Sequence, residues 1–124
     1  MATNIIKLNR GDSFEFSINI LDRADSLKNY MLTERDAVYF ALMFPHQPFE
    51  KAFLVKGYTL EEQNQETGEI TIQITPNDTR RMFPGVYYYT VKLQRGGTLD
   101  IVDDFDDAEE VRTLIERTKF IVNE

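Results

Sequence analysis

An acidic segment near the end of the chain holds the residues best suited to chemistry. Between Leu99 and Glu110, carboxylates crowd together at Asp100, Asp103, Asp104, Asp106, Asp107, Glu109 and Glu110. Closely spaced carboxylates coordinate Ca²⁺, which takes about six to eight oxygen ligands, or act as a catalytic acid and base. The spacing does not match a helix-loop-helix Ca²⁺ loop, which alternates its acids and includes a glycine. We therefore predict an acidic surface loop that contacts a basic partner or keeps the protein soluble, without metal or cofactor.

Other residues that support catalysis lack the partners they would need. His46 is the only histidine, so one chain supplies neither a histidine-dependent triad nor a site with several histidine ligands. Cysteine is absent, which excludes a thiol nucleophile, disulfides and thiolate metal ligands. No serine lies in a Gly-x-Ser-x-Gly motif, and no glycine-rich loop is suited to phosphate. We predict that the protein is not an enzyme. A metal-dependent hydrolase using the acidic segment is the weakest alternative.

Aromatic side chains offer a binding surface instead. The rings considered are those of Tyr39, Phe40, Phe44, Tyr87, Tyr88 and Tyr89. Alternate residues of a half-buried strand point into the core, which leaves Tyr88 and Tyr39 as the outward candidates. Such rings contact a protein partner or stack on a carbohydrate. The candidate partner contacts are therefore Tyr39, Tyr88, Asp103, Asp104, Asp106, Asp107, Glu109 and Glu110.

Composition limits the classes of protein and partner. The 124 residues are enough for a single domain with one core, expected to span residues 1–124. The net charge of -7 argues against nucleic acid, whose binding requires lysine and arginine on phosphates. No apolar run reaches membrane-spanning length, and the first residues do not resemble an export signal. The sequence predicts a protein that folds in a cytoplasm and has no membrane partner.

The stretch from Gly68 to Gln94 carries the clearest structural pattern. Isoleucines alternate with polar residues from Ile70 to Ile74, as in a strand with one buried face. Thr75-Pro76-Asn77-Asp78 has the residues of a capping box, so we predict a short helical turn near residues 76–82. Pro84-Gly85 ends that turn, and Val86–Gln94 is predicted to be a second strand. This order is typical of the corner between strands E and F in an immunoglobulin-like sandwich, where the hydroxyl of Tyr87 would bond back to the main chain.

Further short strands flank this corner. They are expected at 4–8, 13–20, 37–44 and 52–56, followed by a hairpin of 111–115 and 118–122 that turns at Glu116-Arg117. Segment 37–44 is apolar on both strand faces, which indicates a central strand, whereas 21–36 and 57–69 are predicted loops. Arg10-Gly11-Asp12 matches the tripeptide of cell-adhesion ligands, but a turn that begins the next strand explains it fully. The fold class is therefore all-β, an immunoglobulin-like antiparallel β-sandwich.

The order of the motifs resembles one known family. The motifs are Arg10-Gly11-Asp12-Ser13-Phe14, the run from Ile70 to Thr79, the run from Phe83 to Tyr89, and the closing segments Val111–Leu114 and Lys119–Val122. In this order they resemble the N-terminal domain family of phage upper-baseplate proteins. Similar modules serve as baseplate, neck or head-fibre components of tailed phages, where an immunoglobulin-like sandwich attaches one virion protein to another.

The resemblance implies a virion structural protein that is assembled in the host cytoplasm and acts through protein-protein contacts. Its partners would be other virion proteins or a second copy of itself. The acidic segment from Leu99 to Glu110 looks longer than the usual turn of the family. Baseplate versions generally continue into helical parts that hold the receptor-binding protein, so a stand-alone module would favour an accessory virion protein over a receptor-holding one. The alternative is a carbohydrate-binding or host-surface adhesion module, for which Tyr88→Ala would abolish glycan binding without unfolding the domain.

Overall fold

The fold is built from seven strands and one short helix in the described part of the chain. A computed structural model describes residues 5–20, 29–95 and 110–124. The strands are β1 (Ile6–Asn9), β2 (Phe14–Ile18), β3 (Ala37–Met43), β4 (Leu54–Tyr58), β5 (Ile70–Ile74), β6 (Gly85–Arg95) and β7 (Glu110–Asn123). Helix α1 spans Pro76–Thr79, and 3-10 turns occur at Phe49–Lys51 and Leu60–Glu62.

The strands form two sheets in a sandwich, which confirms the predicted all-β class. One sheet has the order β1-β7-β6-β3-β4, and the other consists of β2 and β5. In an immunoglobulin-like fold β7, β6, β3 and β4 correspond to strands G, F, C and C′, while β2 and β5 correspond to B and E. One pairing departs from the antiparallel expectation, because β1 runs parallel to β7.

The core lies between the sheets and follows the predicted alternation. Ile70, Ile72 and Ile74 of β5 are buried. They share one core with the inward residues of β6, namely Tyr87, Tyr89, Val91 and Leu93. At the centre the rings of Phe40 and Tyr89 stack with centroids 5.5 Å apart. Burial raises the pKa of Tyr89 to about 12, because the apolar core disfavours the phenolate.

Strand β3 is buried on both faces, as the sequence predicts for a central strand. Its second face carries Ala37, Tyr39, Ala41 and Met43. Phe49 from the first 3-10 turn packs on this face, with Ala52 and Val55 beside it. The chain itself therefore covers the outer side of the sheet here.

The corner between β5 and β6 has the predicted geometry. The side chain of Thr75 accepts a hydrogen bond from the main-chain nitrogen of Asp78, and Asp78 Oδ2 accepts one from Thr75 at 2.7 Å. This reciprocal capping begins α1. After the helix, the hydroxyl of Tyr87 donates to the carbonyl oxygen of Phe83 at 2.6 Å. The corner tyrosine predicted from the sequence is thus confirmed.

The predicted closing hairpin is wrong, because residues 110–123 form one continuous strand. Strand β6 pairs with β7 from Glu110 to Val122. β7 contributes more residues to this pairing than β6 does. The register of the pairing therefore shifts twice, between Tyr89 and Val91 and between Val91 and Lys92. Thr90 Oγ1 donates to the carbonyl oxygen of Ile115 at 2.6 Å, which satisfies an acceptor at the first irregularity. A bulge replaces the turn expected at Glu116-Arg117.

The predicted solvated connection 57–69 is also partly wrong. Strand β4 continues to Tyr58, and Gln63 is buried. Gln63 Nε2 donates to the carbonyl oxygens of Tyr30 at 3.0 Å and Gly68 at 2.9 Å, and its Oε1 accepts from the Leu32 nitrogen at 2.8 Å. One amide side chain therefore ties together two segments without regular secondary structure. Residues 30–36 lack helix and strand, as expected for a loop.

Candidate interaction surfaces

The aromatic residues predicted to face outward are not equally accessible. Tyr39 is only 7% exposed and lies in the cluster covered by Phe49. Its ring passes so close to Gly57 that a Cβ at that glycine would lie 3.2 Å from Tyr39 Cε1. The structure therefore places Tyr39 inside the chain's own packing, where it offers little surface to a partner.

Tyr88 is half-buried beneath Arg117 of β7. The guanidinium carbon lies 5.1 Å from the centroid of the Tyr88 ring, which is a cation-π contact. The same guanidinium donates to the carbonyl oxygens of Gln47 at 2.6 Å, Pro45 at 2.7 Å and Phe44 at 3.0 Å. Arg117 thus covers Tyr88 and fixes the turn after β3 at the same time.

Of the predicted acidic contacts, only Glu110 lies within the described residues. Its carboxylate forms an ion pair with Arg95 at 2.9 Å, and Arg95 Nε donates to the hydroxyl oxygen of Tyr30 at 3.0 Å. That hydroxyl in turn donates to the buried carboxylate of Asp36. The hydrogen bonds to Glu110 and Tyr30 raise the pKa of Arg95 further above its usual value. Glu110 therefore helps to hold the loop beside β6. Asp103, Asp104, Asp106, Asp107 and Glu109 lie outside the described residues.

Neither a metal cluster nor a spanning helix is found in the part of the chain that the structure covers. Residues 5–20, 29–95 and 110–124 contain no group of three or more acidic or histidine side chains placed to hold a metal ion. Within the same ranges, every helix is too short or too polar to cross a bilayer.

Among the described residues, the most exposed phenylalanines lie at the end of the sandwich where β3 ends and β6 begins. Phe44, Phe53 and Phe83 are 42%, 41% and 79% exposed, and we call these three residues the aromatic end. The ring centroids of Phe44 and Phe53 are 4.9 Å apart, and each lies 5.7 Å from that of Tyr87. Phe83 adjoins them through its carbonyl oxygen, which accepts the Tyr87 hydroxyl.

Each residue of the aromatic end is positioned by an element boundary. Phe44 follows the last residue of β3, Phe53 precedes the first residue of β4, and Phe83 precedes the Pro84-Gly85 step into β6. The main-chain nitrogen of Phe53 donates to Leu42, which holds the two strand ends together. Sequence reasoning assigned Phe44 to a strand face and passed over Phe53 and Phe83. For Phe83 the available signal was its position beside Pro84, because side chains at such turns often stay outside the core. Phe53 has no proline beside it, so the sequence offered no comparable signal there.

The Arg10-Gly11-Asp12 turn is held by bonds within the chain. Gly11 has φ +91°, a conformation that favours glycine, and its nitrogen donates to Thr79 Oγ1 at 3.0 Å. Thr79 Oγ1 in turn donates to the carbonyl oxygen of Asp12 at 3.1 Å. The Asp12 carboxylate accepts from the Asn9 nitrogen at 3.3 Å. These contacts explain the tripeptide as a turn that docks on α1.

Comparison of the chain with protein-family models and with curated proteins gives no match. The resemblance to the phage upper-baseplate family therefore stays a prediction from the motifs.

Proposed function

We propose that the protein is a non-enzymatic structural component of a tailed-phage virion, and that it binds another virion protein through the aromatic end. The observation that supports this is the exposure of Phe44, Phe53 and Phe83 on one end of the sandwich. The order of motifs provides the link to virions, and the aromatic end provides a surface suited to assembly.

The chemistry of the aromatic end favours a protein partner. Large apolar side chains are uncommon in groups on protein surfaces, and interface centres are enriched in aromatic residues. Burying one phenylalanine side chain contributes about 1.5–3 kcal/mol, so covering Phe53 and Phe83 would support a specific contact. The net charge of -7 favours a partner with a basic rim around its apolar centre.

The aromatic end is also fixed in shape before a partner arrives. Arg117 holds the turn that begins at Phe44 through its bonds to the main chain. Tyr87 holds Phe83 through the corner hydrogen bond and packs against the rings of Phe44 and Phe53. A surface that is already ordered loses less conformational entropy on binding.

The test is incorporation into particles. Particles of the phage that encodes the chain would be purified by density gradient, and the copies of the chain per particle counted by quantitative mass spectrometry. We expect a fixed copy number for the wild type and at least a tenfold loss for the double variant Phe53→Ser, Phe83→Ser. The matched control is Val111→Ser, which alters an apolar residue about as exposed as Phe53 (39% against 41%) outside the aromatic end.

Two results would contradict the proposal. Absence of the wild-type chain from purified particles would rule out a virion component. Normal incorporation of the double variant would rule out the aromatic end as the contact. Circular dichroism of each variant is needed beside the count, so that loss of folding is separated from loss of contact.

A carbohydrate-binding module is the second candidate, and the paired exposed rings of Phe44 and Phe53 favour it. Adjacent aromatic rings provide an apolar surface for the face of a sugar. Since Arg117 covers Tyr88, a glycan would use the phenylalanines. Glycan-array binding that is lost in Phe53→Ala and kept in Tyr88→Ala would support this candidate, and absence of binding by the wild type would exclude the glycans tested.

A further inference from the structure

The outer edge of β2 is unpaired among the described residues. β2 pairs with β5 along one side, and no other described strand pairs with it. The outer edge of β5 differs, because its backbone has partners within the chain. Gln63 forms a bridge with Ile70, and the Gln73 nitrogen donates to the hydroxyl oxygen of Tyr58 at 3.2 Å. Within residues 5–20, 29–95 and 110–124, the smaller sheet therefore has one edge without a strand partner, along β2.

Apolar side chains next to this edge are only partly covered by the described residues. On β5 the inward isoleucines are almost completely buried, whereas on β2 Phe14 is 37% exposed and Phe16 and Ile18 are half-buried. A groove of about 500 Å³ separates β2 from β1 and β7. Apolar side chains that line it include Ile5, Ile6, Phe14, Phe16, Leu114 and Ile115. In the described part of the chain, an edge without a strand partner thus lies beside a groove that is lined largely by apolar residues, together with Ser17 and Asn19.

β2 lacks the features that usually keep an edge strand from pairing. Such strands commonly carry lysine, proline or a bulge. The sequence of β2 is Phe-Glu-Phe-Ser-Ile, with regular pairing to β5, and Glu15 is its only charged residue. The outer strand β4 does carry a lysine, Lys56, which is paired with Asp78 at 2.6 Å. Of these two outer strands, β2 is the better suited to accept another strand.

We infer that β2 pairs antiparallel with β2 of a second copy of this chain, about a two-fold axis through Phe16. This register uses the whole strand and places Phe14 opposite Ile18 of the second copy, on the face that carries the groove. It also places Glu15 opposite Ser17 of the second copy, so the two carboxylates avoid each other. An axis through Glu15 would put the carboxylates directly opposite, which is unfavourable. The smaller sheets of two copies would then form one continuous sheet.

The sequence of β2 is self-complementary about Phe16, and this favours a second copy of the chain as the strand that pairs with its outer edge. A two-fold contact requires each residue to suit its symmetry mate, and two-fold dimers are the commonest assemblies of identical chains. The apolar residues of β2 face apolar residues, and its single charge faces a neutral hydroxyl. The contact uses residues other than those of the aromatic end, so it holds or fails independently of the proposed virion role.

Cysteine cross-linking tests the register, because the chain has no cysteine of its own. Glu15 and Ser17 are exposed and alternate along β2 with Phe14, Phe16 and Ile18, so they lie on the other face of the strand. A disulfide needs Cα atoms within about 7 Å, a distance met by directly opposite residues and barely reached by diagonal ones. We expect an equimolar mixture of Glu15→Cys and Ser17→Cys to give at least fivefold more disulfide dimer under mild oxidation than either variant alone. Equal yields would overturn the register.

A charge pair at one position tests the dimer without oxidation. Ser17→Glu would place a carboxylate opposite Glu15 of the second copy, and Ser17→Lys would place an ammonium there. Both variants lose the same 3.0 Å bond to Thr71 Oγ1. In light scattering over a dilution series, we expect the wild type and Ser17→Lys to reach the mass of a dimer, and Ser17→Glu to dissociate at concentrations at least fivefold higher.

A wild-type monomer at every concentration up to the millimolar range would overturn the inference and leave β2 to another occupant. Identical dissociation of Ser17→Glu and Ser17→Lys would place a dimer contact elsewhere. Thermal melts establish that both variants fold, and the cysteine test decides the question if they do not. Copy number in particles is a separate measurement, so a failed dimer does not count against the virion role.

Discussion

The hydroxyl of Tyr87 lies 2.6 Å from the carbonyl oxygen of Phe83 and closes the corner that carries Phe83, whose side chain is 79% exposed. Tyr87→Phe keeps the buried ring and removes only this bond. We expect the free energy of unfolding to fall by about 1 kcal/mol, measured by urea denaturation. Tyr88→Phe is the matched control and should change stability by less than about 0.5 kcal/mol. If Tyr87→Phe and Tyr88→Phe lowered the free energy of unfolding equally, the corner hydrogen bond would not stabilise the fold.

The buried amide of Gln63 should matter more than any exposed glutamine. Gln63→Leu fills a similar volume but leaves the Leu32 nitrogen and the carbonyl oxygens of Tyr30 and Gly68 without this partner. We expect a loss of about 3 kcal/mol in the free energy of unfolding, because buried groups left unpaired keep their full desolvation cost. Gln65→Leu, at an exposed site, should cost less than about 1 kcal/mol.

Gln63→Glu refines this experiment through its pH dependence. A carboxylate accepts from Leu32 but has no proton to donate to Tyr30 or Gly68, and burial disfavours its charge. The pKa of the new carboxyl should therefore rise on folding. Because a raised acid pKa destabilises the fold above the unfolded value, the variant should be weakest at neutral pH and recover as the pH falls towards about 4. A deficit that is independent of pH would contradict this explanation.

Local patterns predicted much of the fold because they depend on neighbouring residues. The alternation from Ile70 to Ile74, the capping box at Thr75 and the position of Tyr87 can each be recognised within a few residues. The continuous strand β7 could not be predicted this way. Its path past Glu116-Arg117 depends on β6, which is long enough to pair with it and supplies Thr90 at the irregularity.

The accessibility of the candidate surfaces depends even more on contacts between residues that are distant in the sequence. Tyr39 and Tyr88 face outward by strand alternation, but Phe49 covers one and Arg117 covers the other from elsewhere in the chain. Gln63 lies in a polar stretch, and only its bonds to Tyr30 and Gly68 explain its burial. A single sequence shows which side of a strand a residue occupies, and packing between segments decides whether that side is open.

Arg117 should control the order of the turn that follows β3. Its guanidinium donates to the carbonyl oxygens of Phe44, Pro45 and Gln47, a set that the smaller ammonium of lysine does not reproduce. We expect Arg117→Ala and Arg117→Lys each to reduce the free energy of unfolding by about 1 kcal/mol. Hydrogen exchange at the Gln47 amide, which donates to Phe44 at 3.0 Å, should accelerate about fivefold, the factor that corresponds to this energy.

Lys119→Ala is the control for Arg117, because Lys119 lies on the same strand and is exposed. It should leave both the stability and the exchange of the Gln47 amide within error of the wild type. If Arg117→Lys behaved like the wild type, charge alone would account for the contact. The bonds to several carbonyl groups would then have no measurable effect.

Asp78 links α1 to β4 through its ion pair with Lys56 at 2.6 Å, and it should make the free energy of unfolding depend on pH. Burial alone would raise its pKa, but hydrogen bonds from Lys56 and Thr75 outweigh that effect and lower the pKa below its ordinary value. An acid with a lowered pKa stabilises the fold above the unfolded value of about 4, and this contribution is lost as the pH falls through the folded value. Asp78→Ala should therefore cost about 1–2 kcal/mol at pH 7, and the difference from the wild type should shrink below pH of about 4.

Asp78→Asn retains an acceptor for the Thr75 amide but has no charge, so its smaller deficit should also shrink in acid as the wild type loses its ion pair. Urea denaturation from pH 7 to pH 2 measures all three proteins, and a constant difference between wild type and Asp78→Ala across that range would mean that the carboxylate does not stabilise the corner through its charge.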